Sequence, residues 1–499
     1  MTSAVAPAEE ASIVETHVSV LVFVGDRAYK AKKPVRFGFL DFSTPARRRE
    51  ACQREVELNR RIAPDVYLGV AELRGPGPDE AEPVVVMRRM PVARRLATMV
   101  VEDDPSVADH LRAVARVLVD FHARAERSPA IDAYGTAGAL AAAWQANEVE
   151  MASFVGRLLD ADLFDEAHRL MERFVAGRRT LFDRRIAAGE VCDGHGDLQA
   201  ADIFCLDDGP RILDTIEFDD SLRYGDVLAD VAFLTMDLER LGRPDLGEVF
   251  VAAYDELAGE VPPRPLLEVH VAHRAQIRAK VACLRAEQDG LDTAAGAAAA
   301  EEARRLQRLS VEHLRRARVR LVVVGGLPGT GKSTLARGLG ERFGWVVLRS
   351  DVLRKQLAGL DAATPAPANV GAGIYDDAAT DRTYDELLVE ASHLLAAGET
   401  VILDASWSDD RHRRAARELA EAASADLVEL CCTVAPDVAR ERLRSRAATG
   451  GDASDATDAV AVAMAARADE WPEAVDVPTA AGPDVVLDSV ATTFDPTVT

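Results

Sequence analysis

The sequence predicts an α+β domain followed by an α/β domain built on a parallel sheet. Three observations predict it. Val18, Val20, Val22 and Val24 alternate before a turn at Gly25-Asp26, which is the pattern of an antiparallel strand pair. Helical periodicity takes over at Val107 and dominates to about Gly189. Far downstream, Gly326-Leu327-Pro328-Gly329-Thr330-Gly331-Lys332-Ser333-Thr334 separates a β-branched apolar run from a helical pattern, the strand–loop–helix order of a parallel sheet. A chain of 499 residues has room for about two to four domains.

In chain order, Ala28 to Lys32 reads as the second strand of the opening pair. Thr44 to Ile62 reads as a helix, with Ser43 or Thr44 as cap. Pro83 to Met90 is a continuous apolar strand. Val191 to Cys205 reads as loop, and Arg211 to Phe218 as a strand. Residues 227 to 318 return to helix, broken at Pro262, Pro263 and Pro265. Strands and one helix occupy about 10–90, and helices dominate over about 91–292. An Ala- and Arg-rich helical connector covers 293–318, with a domain boundary near 318. Beyond it, Leu321 to Val324 and Trp345 to Leu348 read as strands, and Thr400 to Asp404 as a third. Ser333 to Phe343 and Val352 to Leu357 read as helices. A flexible segment is expected at Ala448 to Thr457. The tail after about Pro478 lacks strong periodicity and is expected to pack loosely.

Composition excludes several classes. The formal net charge is −24, which argues against nucleic acid held on a general basic surface. None of the six cysteines forms a C-x-x-C pair, so neither a zinc ribbon nor a disulfide framework is expected. Met1 to Glu10 is acidic and lacks the apolar core of a signal peptide. No run of about 18 apolar residues occurs, so no membrane span is expected. A reducing cytoplasm is the simplest placement. Nothing fixes the oligomeric state.

The glycine-rich stretch fits G-x-x-x-x-G-K-[ST]. Gly326, Gly329 and Gly331 let backbone N–H groups turn inward around phosphate oxygens, joined by those of Thr330 and Thr334 at the helix start. Lys332 would reach the β- and γ-phosphates of a nucleotide, and the Ser333 hydroxyl would sit on Mg²⁺. No N-K-x-D motif accompanies it, so a GTPase is not indicated.

A second constellation surrounds His195-Gly196-Asp197. Transfer to a hydroxyl needs a carboxylate near the acceptor oxygen, which Asp197 offers, and oxygen ligands for a metal, which Asp202, Asp214 and Glu217 offer. With these residues on the page, positions 10 to 290 resemble the aminoglycoside phosphotransferase family, whose protein-kinase-like α+β fold implies two lobes, a small lobe over about 10–90 and a large lobe over about 91–292. The resemblance implies that Asp197 is the catalytic base of an H-G-D-x-x-x-x-N loop, in which Asp202 stands in place of the expected Asn. The family's metal-binding Asp maps to Asp214 by spacing or to Glu217 by its isoleucine–acid–aromatic context. Gly225-Asp226 and Asp230 match a closing, structural G-D-x-x-x-D pattern. The small lobe should supply a phosphate-contacting lysine, Lys30 or Lys32, and a partner acid, Glu55 or else Glu57. The strand through Met87 should lead to the hinge that grips adenine. Gly25 is the one candidate glycine for a loop over the phosphates.

Residues 319 to about 490 resemble the P-loop kinases for small molecules, within the wider P-loop NTPase fold. The resemblance implies that Asp351 contacts an acceptor hydroxyl and that Arg354 holds an anionic group. Ser350 or Asp351 could equally be a helix cap. Asp404 ends a strand like that of Walker B and would aid the Mg²⁺ shell. Arg411 is the arginine after that strand nearest an acceptor, whereas Arg413 and Arg414 read as a solvated face. Arg442 and Arg446 share a helix face, as do Arg440 and Arg444, in the manner of a lid closing over phosphate, with Ser454-Asp455 as anchor. Together the two halves imply a bifunctional fusion that uses ATP and Mg²⁺ on a small hydroxylated acceptor such as a sugar, amino sugar or aminoglycoside. The alternative is an N-terminal binding or regulatory pseudokinase, with turnover confined to the P-loop domain as a kinase or an ATPase switch.

Overall fold

The computed structural model describes residues 12–15, 18–37, 40–74, 81–361, 364, 373–449 and 454–494. The segment Met1 to Glu10 and residues 450–453 of the expected flexible segment lie outside the described residues. Contacts divide the chain into two compact units. One is Met1–Leu159, Arg184–Pro262 and His270–Ser310; the other is Asp160–Asp183, Pro263–Val269 and Val311–Thr499.

In the first unit a five-stranded antiparallel sheet runs in the order Ser12–Glu15, Ser19–Val24, Arg27–Lys32, Glu82–Arg88, Tyr67–Leu73. The helix Pro45–Asn59 covers it. Thr44 caps that helix by accepting from the Arg47 amide at 3.3 Å, and Pro45 takes a first-turn position where its missing N–H costs nothing. Cys52 and Val56, one turn apart, pack into a core with Ala28, Tyr67, Val85 and Met87. Helices then dominate, chiefly Val107–Arg124, Ala137–Met151, Leu228–Arg240, Pro244–Ala258 and Arg264–Asp289. The unit is the two-lobed kinase-like fold that the motifs imply.

Two sequence expectations change here. The span Arg211 to Phe218 is not one strand: pairing runs over Gly209–Ile212 and stops, because Asp214 adopts a left-handed φ of 69°. The block Val191 to Cys205 is not all loop. Val191–Asp193 pairs with Tyr224–Asp226, and Ile203–Leu206 pairs with Gly209–Ile212.

The second unit holds a five-stranded, all-parallel sheet in the order Val346–Arg349, Val401–Asp404, Arg320–Gly325, Asp426–Thr433, Val475–Pro478. The central strand Arg320–Gly325 is buried throughout, as a parallel strand covered on both faces must be. The tail does not pack loosely over its described residues, 479–494. The helix Pro483–Ala491 places Val486 and Val490 one turn apart against Leu335 and Leu339, and Phe494 closes the same core. Each such burial stabilises by about 1.5–3 kcal/mol.

Segments far upstream complete this unit. Arg178 Nη1 donates to Ala423 O at 2.7 Å and Arg173 Nη2 to Ala425 O at 2.7 Å. Arg315 forks onto Glu166 at 2.7 and 2.8 Å, and buried His313 Nδ1 meets Glu268 Oε2 at 2.5 Å. Among the described residues no helix is long and apolar enough to cross a membrane.

Candidate active sites

In the first unit both lysines point from one face of the strand Arg27–Lys32 to the same acid. Lys30 Nζ lies 2.9 Å from Glu55 Oε1, and Lys32 Nζ lies 2.6 Å from Glu55 Oε2. Glu55 is fully buried, and the two ammoniums hold its carboxyl below the usual range against the opposing effect of burial. Glu57 is not the partner acid: it sits exposed beside Arg54 at 3.1 Å.

The lysines diverge at their second contacts. Lys30 reaches Asp214 Oδ1 at 2.6 Å, while Lys32 pairs with Glu217. The Asp214 side chain is 48% exposed and that of Glu217 only 9%. Asp214 is therefore the acid open to a ligand, and Glu217 is consumed by a buried ion pair. Burial works against ionising Asp214, but Lys30 outweighs it and keeps its carboxyl below the ordinary range. Its strained backbone is held on both sides: its amide donates to Tyr67 Oη at 3.1 Å, and the next amide, of Thr215, donates to Asn59 Oδ1 at 2.9 Å.

Asp197 stands on the loop after Val191–Asp193. Asp230 ties that loop down by accepting from the amides of His195 and Gly196 at 2.7 and 2.9 Å, and it also meets His122 Nε2 at 3.2 Å. Asp226 instead takes a bidentate pair from buried Arg185 at 2.8 Å. Both are structural, as the closing motif implies. His195 Nε2 bonds Leu213 O at 3.1 Å, which couples the loop to the Asp214 segment. Gln199 Nε2 donates to Asp197 Oδ2 at 2.9 Å. Burial pushes the Asp197 carboxyl up to about 6, with Arg278 opposing and Asp214 adding to the rise. Asp202 is pushed well above the ordinary range by burial and by the charges of Asp214 and Asp197.

Met87 lies on the strand Glu82–Arg88, opposite Ala28 and Tyr67, and its side chain belongs to the core. Gly25 turns the hairpin with φ 55°, and no longer glycine loop follows it. Sequence reasoning missed Asn59, Tyr67 and Gln199. Asn59 had a signal, since it lies one turn beyond Glu55 on the same helix face.

In the second unit the phosphate loop joins Arg320–Gly325 to the helix Lys332–Phe343. Gly326 and Gly331 take φ of 136° and 91°, and a Cβ at Gly326 would lie 2.6 Å from Cys432 O, so only glycine fits. Thr330 Oγ1 bonds Leu327 O at 2.8 Å across the loop. Lys332 and Ser333 stand at the helix start, with Thr334 next and exposed.

Asp404 ends the neighbouring strand. It is buried, and burial raises its carboxyl, with Lys332 and Ser333 pulling the other way. Arg349 Nε donates to its Oδ2 at 3.2 Å, while its Oδ1 is buried with no hydrogen-bond partner among the described residues. Asp351 lies in the first turn of Ser350–Leu357, whose N-cap is Arg349 without a side-chain bond. Neither Ser350 nor Asp351 is the cap.

A cavity of about 560 Å³ runs from Pro328 and Lys332 past Asp351 to Arg354, Tyr384 and Arg411. The two arginines are already engaged. Arg354 Nη1 donates to Ile374 O at 3.0 Å and Thr380 Oγ1 at 3.1 Å, and Arg411 Nη2 lies 2.6 Å from Asp381 Oδ1.

The arginines expected to close over phosphate are engaged too. Arg442 donates to Thr479 O at 2.7 Å and Thr479 Oγ1 at 3.2 Å, and Thr479 Oγ1 in turn donates to Thr330 O at 2.5 Å. Arg442 thus braces the phosphate loop from behind. Arg446 donates to Ala456 O at 3.0 Å. Asp455 does anchor its segment, accepting from Lys355 Nζ at 3.1 Å and Tyr375 Oη at 3.0 Å. Arg413 is no solvated residue. It is buried and donates to Trp407 O and Glu470 O, both at 2.8 Å. Trp407 itself, buried with φ 52°, donates its amide N–H to Tyr384 Oη at 3.0 Å.

Residues 321–471 match the AAA domain family. The phosphate loop and the strand that ends at Asp404 both fall within that match. As a whole the chain belongs to one family with the uncharacterized protein Rv2004c of Mycobacterium tuberculosis, with 45% identity over 457 residues, 92% of this chain and 90% of that protein. Among solved structures it is similar to a choline/ethanolamine kinase family protein from Mesorhizobium loti, at 14% identity over 62% of this chain and 92% of that one, TM-score 0.40. It is also similar to a sugar kinase from Janibacter sp. HTCC2649, at 19% identity over 36% of this chain and 98% of that one, TM-score 0.28.

Proposed function

We propose that the protein is an ATP- and Mg²⁺-dependent phosphotransferase acting on hydroxyl groups of small molecules, with one nucleotide site in each unit. The observation that carries this reading is the cavity that joins Lys332 of the phosphate loop to Asp351. An ATPase that only switches conformation has no need for an acceptor-sized chamber at its γ-phosphate end.

In the second unit the loop amides and Lys332 bind the β- and γ-phosphates, and Asp351 orients the acceptor hydroxyl. Arg354 shapes the acceptor wall through its bonds to Ile374 and Thr380, and Arg411 lines the outer cavity. Arg442 and Arg446 act by bracing the loop and the neighbouring segment. The donor set fits a magnesium ion: Asp404 offers a buried oxygen without a hydrogen-bond partner among the described residues, and Ser333 stands beside it.

In the first unit Lys30, fixed by Glu55, contacts the α- and β-phosphates, and Asp197 takes the acceptor proton. Lys32 and Glu217 hold that arrangement from behind, and the strand through Met87 leads to the adenine side. Asp214 with Asp202 fits a metal, because burial and the charges of Asp214 and Asp197 raise the Asp202 carboxyl and a divalent cation relieves that crowding. Magnesium, when bound at either site, neutralises charge on the transferring phosphoryl group. Six cysteines without a disulfide suit a reducing cytoplasm.

The test is ATP turnover over a panel of sugars, amino sugars and aminoglycosides, with Asp197→Asn and Lys332→Ala each compared with the parent. Acceptor-dependent ADP release that each variant removes in part supports two active sites. ADP release that no acceptor accelerates sinks the kinase reading. A second reading, an N-terminal pseudokinase, is favoured by Asp202 at the expected Asn position; it wins if Asp197→Asn changes no transfer.

A further inference from the structure

Arg274 and Arg278 stand one turn apart on the helix Arg264–Asp289 and so share a face. Arg274 is anchored: its Nε donates to Ala229 O at 3.1 Å, and its guanidinium lies 5.2 Å from the Phe233 ring centre. Ala229 precedes Asp230, the residue whose carboxylate holds the amides of His195 and Gly196. Asp197 is next in the chain. The arginine face is thus tied, contact by contact, to the loop that carries the proposed base.

The charges on that face are unequally committed. Lys280 pairs with Glu150 at 3.3 Å. His270 and His273 are held neutral, chiefly by burial, which takes His270 down to about 4. The acids whose fields reach Arg274 are Asp230, already spent on His122 and two amides, and Asp197. Arg278 is half-buried and makes no hydrogen bond or ion pair with another described residue; the acid it influences is Asp197.

A half-buried guanidinium with unspent donors is costly, and beside a base it lowers basicity. Both costs are recovered if a ligand brings a matching anion, since the planar fork of arginine suits carboxylate and phosphate. A cationic acceptor would meet two like charges at this face.

We propose that the N-terminal unit takes an anionic hydroxylated acceptor, a hydroxycarboxylate or a phosphate monoester, whose anionic group is bound by Arg278 with help from Arg274. The inference rests on the reading of Asp197 as the base. The acceptor hydroxyl gives its proton to Asp197 and its oxygen bonds the γ-phosphorus of ATP. The bond from that phosphorus to the β–γ bridging oxygen breaks, and ADP leaves with the electron pair.

The test uses the full chain carrying Lys332→Ala, with glucose, glucosamine, gluconate and glucose 6-phosphate as matched acceptors. Gluconate or glucose 6-phosphate should exceed glucose and glucosamine in kcat/KM by about tenfold or more. Which of the two leads separates carboxylate from phosphate. Arg278→Gln should cut that preference about tenfold through KM, and Arg278→Lys should restore part of it. A preference for glucosamine overturns the proposal. So does an equal fall in kcat for every acceptor, which would assign Arg278 to the transferring phosphoryl group. If none of the four turns over, calorimetric titration of gluconate with a non-hydrolysable ATP analogue present decides: binding that is absent or indifferent to Arg278→Gln overturns it. Failure of Asp197→Asn to reduce transfer would instead strike the reading of the base.

Discussion

The two candidate sites assemble positive charge by different means. In the P-loop unit it comes mainly from backbone: amides of one contiguous stretch, a helix N-terminus and a single lysine. In the kinase-like unit it comes from two lysine side chains, which Glu55, Asp214 and Glu217 neutralise from separate parts of the chain. A backbone cradle needs glycine geometry and little else. A side-chain cradle needs several buried ion pairs, each of which destabilises the fold if half of it is removed.

The comparison can be tested from its largest consequence downward. Asp197→Asn should lower acceptor-dependent transfer in a Lys332→Ala background by about 10²–10⁴-fold, the worth of a positioned base. Lys332→Ala alone should lower turnover in the P-loop unit by about 10²–10³-fold, as for loss of one strong charge-stabilising donor. Steady-state ADP release measures both. In stability, Lys32→Met leaves two buried carboxylates facing each other and should cost about 3–5 kcal/mol by denaturant titration. Arg442→Ala, which removes a brace from a backbone cradle, should cost about 1–3 kcal/mol. Equal costs would break the contrast between side-chain and backbone cradles. A smaller effect concerns pH. Asp197 works as a base only when ionised, and its carboxyl is raised to about 6. N-terminal kcat/KM should therefore climb between about pH 5 and 7 and then level off. A flat profile over that range would remove Asp197 from the base role.

Legibility followed the same division. The phosphate loop, Lys332, Ser333 and the strand before Asp404 were readable because their chemistry sits in consecutive residues with a fixed helix behind. In the kinase-like unit the residue types were readable but their pairing was not. Nothing in local spacing says that Lys32 takes Glu217 and leaves Asp214 half-exposed; that follows from the turn at Asp214, where a left-handed backbone ends the strand. Arginine misled most. Arg413 is buried on backbone carbonyls, and Arg354, Arg411 and Arg442 are engaged by neighbours, because a guanidinium satisfies several acceptors that local sequence does not reveal. The tail was misread because Val486, Val490 and Phe494 form a stripe too short for periodicity to register.

The completion of the P-loop unit by residues 160–183 and 263–269 bears on the protein's history as a gene. A fragment beginning at 319 would lose the donors on Ala423 O and Ala425 O, which come from Arg178 and Arg173. Gly177, which has space for no Cβ because Ala423 O would lie 2.2 Å away, would lose the surface it is shaped to fit. The two halves are thus entangled along the chain rather than strung in tandem, so a single fission event cannot yield two self-sufficient products.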